Sequence, residues 1–565
     1  MGFFFLFCTN TLSLISPYLL KLAVDSLRSG LSQGKLIGYA CAIVGATVVQ
    51  GGFRYGMRIT LIGLSRWIEY DFRNEIFSVL LEKSPGFYHR NSTGDLMSRA
   101  TEDLNAVRMA VGPGIMHFFS TMIIFIATGI IMLKINVRLT LYALLPLPLV
   151  SLIVRGMSSR LHHKMEEVQI NLSKVSSSVQ ESLSGIRVFR AYVREGFETG
   201  RFEKRNLEYV KKNLDLARIW GLFLPLMIVT TGLGVIVVVY LGGSLVARGK
   251  ITLGDFVAFS AYLTMLTFPV MALGWVVNLY QRGKVAMDRL ETILEQPSLK
   301  DPPQPEKIAD IKGEIVFKGV EFHYETRPEQ PVLGPLDLTV PAGTTLGILG
   351  TVGAGKSSLV NLLPRLAEPS RGEILLDGVD IRRFSLKDLR KQFGYVPQDS
   401  FLYSDSMEKN ISFGIEEPDK KALRQAAELA GIAPDIEEFG DGYQTLVGEK
   451  GITLSGGQRQ RTALARALIT DPRVLILDDV FSSVDTHTEE QIKERLKKFM
   501  QGRTCLIISH RISTIKEADQ IIVMDKGKIV QRGTHQELAA ASGIYRHIFE
   551  QQQLLEEIEG LSANN

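Results

Sequence analysis

Leu346-Gly347-Ile348-Leu349 runs directly into Gly350-Thr351-Val352-Gly353-Ala354-Gly355-Lys356-Ser357-Ser358. The short apolar run reads as a strand, and Gly350–Ser357 fits the pattern G-x4-G-K-[ST], the phosphate-binding P-loop between a strand and a helix. The glycines let successive backbone N–H groups curl around phosphate oxygens, and the helix N-terminus adds partial positive charge. Lys356 brings a point charge to the β- and γ-phosphates, and the Ser357 hydroxyl is suited to ligate Mg2+. Downstream, Val474-Leu475-Ile476-Leu477-Asp478 reads as a buried parallel strand delivering a carboxylate at its C-terminal end, the edge where ligands bind in open α/β sheets. Alone, that acid would read as a helix N-cap. With a P-loop upstream, Asp478 reads as the Mg2+ ligand.

Working outward, the α/β texture begins at Gly313, with short β-branched runs alternating with helical segments. Before it, Gln296–Ala309 carries Pro297, Pro302, Pro303 and Pro305 and reads as an extended linker. The chain divides on this reading into an N-terminal domain at 1–295, a linker at 296–310, a nucleotide-binding domain at 311–550 and a tail at 551–565. Its 565 residues demand more than one core. A net charge of +4 is too small to argue for nucleic acid, and none is expected as a partner. Cys8, Cys41 and Cys505 have unrelated spacings, which excludes a disulfide framework and a thiolate zinc site. The mean hydropathy of +0.11 is high for a soluble protein.

The apolar surplus sits in the N-terminal half. Residues 1–20, 36–53, 111–133, 139–154, 219–247 and 256–281 carry no charged side chain. Runs of about 20 apolar residues match the hydrocarbon core of a bilayer, so six transmembrane helices are expected, the fourth interrupted by Pro146 and Pro148. Residues 1–20 lack the basic start and cleavage site of a signal peptide and read as the first span. Loop 64–111 holds six Lys/Arg and loop 160–218 holds twelve, whereas the other connections are nearly bare. The positive-inside rule then puts both long loops and both termini in the cytoplasm, with the chain in the cytoplasmic (inner) membrane. Stretches such as Glu166–Gln180 keep helical spacing without Gly or Pro, so spans 2 to 5 should continue below the membrane as long helices. Their tips are expected near Pro85–Asp95 and Ala191–Gly200. Arg54 and Arg58 at the inner end of span 2 snorkel or meet an anionic group. Phe118, Phe119, Phe125, Phe223, Phe268 and Trp275 are core, lipid-facing or lining for an apolar cargo.

Between P-loop and acidic strand lies Leu454-Ser455-Gly456-Gly457-Gln458, a Gly-rich helix start that by itself reads as a second anion-binding nest. Leu454–Gln458 resembles the LSGGQ signature of ATP-binding cassette (ABC) proteins, in the position the family gives it. Tyr324 resembles the A-loop aromatic that stacks on adenine. Gln398, in Tyr395-Val396-Pro397-Gln398, resembles the Q-loop glutamine near Mg2+ and the γ-phosphate. Ser482-Ser483-Val484-Asp485 is similar to the D-loop, and His510, in Ile508-Ser509-His510-Arg511, to the switch histidine. Thr445–Gly451 resembles the exporter-specific stretch before the signature. The N-terminal half, with Phe87-Tyr88 and Gly94-Asp95-Leu96-Met97-Ser98-Arg99, resembles the six-helix exporter domain. The resemblance implies a membrane α-helical bundle followed by an α/β P-loop ATPase, with ATP and Mg2+ as ligands. It also implies that Ser455, Gly456, Gly457 and Gln458 contact the ATP of a second half-transporter.

Two departures stand out. Asp479 occupies the position where the family usually has a catalytic glutamate that orients the attacking water. A side chain one methylene shorter falls on the order of an ångström short, a misplacement that can cost about 10²-fold. The chain resembles the degenerate-site member of heterodimeric multidrug-type exporters. The expected partner is a different chain with Glu after its Walker B Asp; a homodimer, a lipid flippase, a peptide exporter and a regulatory nucleotide-binding subunit are the alternatives. The family also usually carries a basic elbow helix before span 1, so the true start is expected to lie upstream. The remaining expected partners are the bilayer and a hydrophobic or amphipathic cargo. Tyr192 and Phe197, with Phe87 and Tyr88, are the apolar candidates for docking the loop tips on an ATPase domain near Gln398.

Overall fold

The computed structural model describes residues 1–28, 33–295, 299–308, 311–324, 329–448 and 451–563. Side chains at several positions within 147–162, 223–231 and 267–273, at 486 and beyond 554 lie outside that description, those of Phe223 and Phe268 among them. The chain forms two compact units: residues 1–81 with 94–296, and residues 82–93 with 297–565. The first tip thus groups with the C-terminal unit, and the linker expected at 296–310 falls partly outside the described residues.

In the first unit the expected long helices are present. Gln33–Glu82 is one helix of 50 residues, about 75 Å at 1.5 Å per residue, more than twice a hydrocarbon core. Among the described residues, Gly2–Leu27, Gln33–Glu82 and Thr93–Ile135 are long and apolar enough to cross a membrane, and Gly232–Ala247 and Leu253–Leu266 are shorter apolar helices. The first track breaks at Leu14, between Gly2–Ser13 and Ile15–Arg28, three residues before Pro17, which has no N–H to donate back. The Tyr262 hydroxyl donates to the Leu14 carbonyl across the break. Further along, Asp25 accepts from the Gly254 N–H and the Thr252 hydroxyl, and Lys21 pairs with Asp255 at 2.7 Å. One helix therefore caps the start of another, Leu253–Glu295. A Cβ on Gly254 would lie 2.3 Å from the Lys21 carbonyl, so the close approach requires glycine.

The tips differ from each other. Pro85–Arg90 is a short helix with Phe87 buried. In the second loop the chain turns at Gly185 and again at Tyr192–Arg194, with Val193 left-handed at φ 52°. This turn lies within the expected Ala191–Gly200, and helix resumes at Glu195 with Gly196 and Gly200 accommodated inside Glu195–Val237. Tyr192, Val193 and Phe197 are exposed at 75%, 82% and 63% in the chain.

The second unit holds a six-stranded sheet ordered β10-β9-β3-β8-β7-β6 and a four-stranded sheet ordered β2-β1-β4-β5. The strands are β1 Ile315–Phe322, β2 Leu333–Val340, β3 Thr345–Gly350, β4 Arg371–Leu376, β5 Val379–Asp380, β6 Phe393–Val396, β7 Val474–Asp478, β8 Thr504–Ile508, β9 Gln520–Asp525 and β10 Lys528–Gly533. Strands β6, β7, β8, β3 and β9 run parallel. Alternate residues face two separate cores: Leu475, Leu477, Cys505 and Ile507 pack into one, Val474, Ile476, Leu506 and Ile508 into the other. Burial on both faces explains why these strands read as unbroken apolar runs rather than alternating ones. The same order brings the carboxyl ends of β3, β8 and β7 side by side. That edge carries the motifs.

Candidate nucleotide-binding site

At the end of β3 the chain enters the loop Thr351–Gly355 and then the helix Lys356–Asn361. Gly353 and Gly355 have φ of 81° and 93°, the left-handed conformation that lets consecutive N–H groups converge. A Cβ on Gly355 would lie 3.0 Å from the Val332 carbonyl, and one on Gly350 would lie 2.3 Å from that of Met524. The cradle is therefore closed to larger residues at both ends. Ala354 is buried beneath it, while Val352 stands 92% exposed at its tip and Thr351 donates to Asp525. Lys356 is buried, and its Nζ donates to the carbonyls of Gly350 at 2.9 Å and Thr351 at 3.0 Å. Burial lowers its pKa, with Asp478 and Asp479 opposing.

Asp478, at the end of β7, is 2% exposed and accepts a hydrogen bond from Ser357. Burial raises its carboxyl pKa; the Ser357 bond, Lys356 and His510 pull the other way and Asp479 adds to the rise. Ser357 and Asp478 thus form a pair of hard oxygen ligands beside a buried ammonium, a donor set that fits Mg2+ bound to a polyphosphate. Ser358 is held by the Tyr324 hydroxyl at 3.0 Å, which fixes Tyr324 beside the loop. The Tyr324 ring stands edge-on to Phe322 at 4.9 Å and to His89 of the first tip at 6.2 Å.

Asp479 is half-buried with φ 51°, and its N–H donates to the Ile508 carbonyl at 3.0 Å. This non-glycine left-handed residue turns the chain sharply out of β7, so the side chain leaves the strand at a fixed angle. His510 comes just after β8 and is exposed. Gln398 is exposed after β6, and among the described residues it makes no hydrogen bond to Ser357 or Asp478. The structure therefore unites Tyr324, the loop 350–358, Asp478 and Asp479, with His510 close enough to affect Asp478; Gln398 follows β6 and is exposed.

The other nest is separately built. Ser455 caps Gly456–Leu468, accepting from the Gln458 N–H while the Gln458 side chain accepts from the Ser455 N–H. Gln458 also donates to Asp435. Gly456 and Gly457 face Ser483, where a Cβ on Gly457 would be 3.0 Å from the Ser483 carbonyl. Gln460 donates to the Ser482 hydroxyl and accepts from the Ser483 N–H, tying the signature helix to the loop that Asp485 closes as N-cap of Thr486–Met500. Sequence reading assigned Gln460 nothing. Its only local signal is a polar residue on the buried face of an amphipathic helix.

A family model described as the ABC transporter transmembrane region matches residues 1–270, and one described as ABC transporter matches residues 333–482. The probable multidrug resistance ABC transporter ATP-binding/permease protein YheI of Bacillus subtilis (strain 168) is 38% identical over 98% of this chain and 95% of its own length. The chain belongs to the ABC transporter family. An ATP-dependent lipid A-core flippase of Syntrophus aciditrophicus (strain SB) is 33% identical over 94% of this ABC transporter chain and 88% of the flippase. A bacterial Atm1-family ABC exporter, solved with ATP bound, superposes with a TM-score of 0.82 at 26% identity, covering 98% of each chain. This ABC transporter chain thus joins a membrane-spanning helical domain to an ABC ATPase domain, the architecture of ATP-driven export.

Proposed function

We propose that this chain is one half of an exporter for hydrophobic or amphipathic compounds, and that its own Walker site binds ATP but hydrolyses it slowly. The observation that carries the reading is Asp479, the first residue after Asp478 at the carboxyl edge of the sheet. A water poised on the γ-phosphate needs a carboxylate within hydrogen-bond reach. Asp479 is fixed by its left-handed backbone and its bond to Ile508, so it has little freedom to make good the missing methylene. Tyr324 supports the adenine, the N–H groups of 350–358 and Lys356 support the phosphates, and Ser357, Asp478 and Gln398 are the residues suited to hold Mg2+. His510 is suited to the γ-phosphate. Ser455, Gly456, Gly457 and Gln458, with Asp485, serve ATP held by the other half.

Coupling to the membrane rests on differential binding: ATP favours whichever arrangement it bridges. The apolar tip Tyr192, Val193 and Phe197, exposed in the single chain, supports docking on a second half. Six spans with cytoplasmic termini are the topology that the charge asymmetry supports. A lipid-moving variant of the same function draws support from the flippase relative and from Arg54 and Arg58, cations suited to an anionic headgroup.

The reading is tested by reconstituting the purified full chain in liposomes, alone and with a second half that carries Glu after its Walker B Asp. Amphipathic cargo should stimulate ATPase and drug or lipid movement only in the mixed sample. Equal stimulation of the chain alone contradicts the heterodimer and favours two like halves.

A further inference from the structure

A single side chain holds two backbone groups at His510 and just after it. The Gln552 amide donates through Nε2 to the His510 carbonyl at 2.7 Å and accepts through Oε1 from the Ile512 N–H at 2.8 Å. A carbonyl only accepts and an N–H only donates, so the amide has one workable orientation. Ile512 opens the short helix Ile512–Ile515, whose N-cap Arg511 makes no side-chain capping bond. Gln552 supplies the missing partner from another element.

Gln552 is well placed to transmit position because its own helix is fixed. In Ile544–Ala563, Tyr545 is fully buried and Ile548 and Phe549 pack on the same core; Gln552 continues that face at helical spacing. The Tyr545 hydroxyl bonds His535 at 2.7 Å, and its N–H donates to Gln531. On the far side of the loop, Glu489 is 2% exposed and accepts from Arg511 at 2.6 Å, from Thr514 at 2.8 Å and from Lys493 at 2.7 Å. Glu489 lies in Thr486–Met500, the helix that Asp485 caps. The backbone from the His510 carbonyl to Ile512 is thus gripped between two helices while the His510 side chain stays exposed. A cap alone would account for one of the two bonds; the bond to the His510 carbonyl adds nothing to the capping of Ile512–Ile515.

We infer that Gln552 is a positioning residue for nucleotide hydrolysis, setting the direction from which His510 reaches the phosphates. The inference rests on the assignment of His510 proposed above. Gln552→Met keeps the length and the apolar stem but removes both bonds, and the core contacts of Tyr545, Ile548 and Phe549 keep the helix docked. In the full-length transporter carrying Asp479→Glu, Gln552→Met should lower kcat for ATP about 10-fold, since small misplacements of a reacting group are costly. KM for ATP should stay within about twofold, because the residue touches no nucleotide. In a His510→Ala chain the same substitution should add no further loss. Gln552→Glu, which keeps the acceptor for Ile512 but sets a carboxylate against the His510 carbonyl, should also lower kcat.

An equal loss in the presence and absence of His510, or a rise in KM matching the fall in kcat, would make Gln552 a structural cap and overturn the inference. Unchanged kcat in Gln552→Met with a clear loss in His510→Ala would overturn it while leaving the site assignment standing. No loss in His510→Ala would remove both together.

Discussion

Asp478 shows how burial tunes a single group. Its carboxyl is raised chiefly by desolvation, and Lys356 beside it is lowered for the same reason. Each charge is costly where it is buried, and a bound metal nucleotide would relieve both by placing a cation near the acid and phosphates near the ammonium. An acid whose pKa is raised in the folded state takes up its proton at a higher pH than an ordinary aspartate, and metal competes with that proton for the same oxygens. Titrating the affinity for a non-hydrolysable ATP analogue, the gain from adding Mg2+ should shrink as pH falls, starting above the usual aspartate range. In Asp478→Asn that gain should be absent at every pH. A pH-independent Mg2+ effect that survives Asp478→Asn would remove Asp478 from the metal site.

Among the secondary-structure elements, the two loop tips differ in how their aromatic residues are covered. Phe87 is buried in the unit that also holds the sheets, whereas Phe197 is 63% exposed. An exposed aromatic at the end of a long helix gains by being covered, with about 25 cal/mol for each Å2 of apolar surface removed from water. Phe197→Asp should therefore abolish transport while ATP binding, measured by equilibrium titration, is unchanged. Full transport by that variant would move the docking contact elsewhere. The strands β3 and β7 were legible because burial on both faces leaves no polar residue to confuse the pattern. The long helices were legible from their spacing. The turn of the second loop falls inside the expected stretch Ala191–Gly200, at Tyr192–Arg194, and Gly196 and Gly200 do not break the helix that follows. Gln460 and Gln552 were invisible for a different reason. Each acts through a partner more than 20 residues away, and a lone glutamine on an amphipathic helix has no pattern of its own.

Across the whole chain, family membership and fold class rest on nearly full-length similarity, and they carry ATP-driven export with them. The cargo is a matter of the membrane half, where the side chains of Phe223 and Phe268 lie outside the described residues. On the proposed slow-site reading, the balance between holding ATP and cleaving it turns on one methylene at position 479. The decisive experiment compares the steady-state ATPase rate of the purified full-length chain with that of Asp479→Glu, at saturating MgATP. Lengthening the side chain should raise turnover by up to about 10²-fold, with little change in ATP affinity. A native chain that already hydrolyses ATP rapidly, and gains nothing from Asp479→Glu, would contradict the slow-site reading outright.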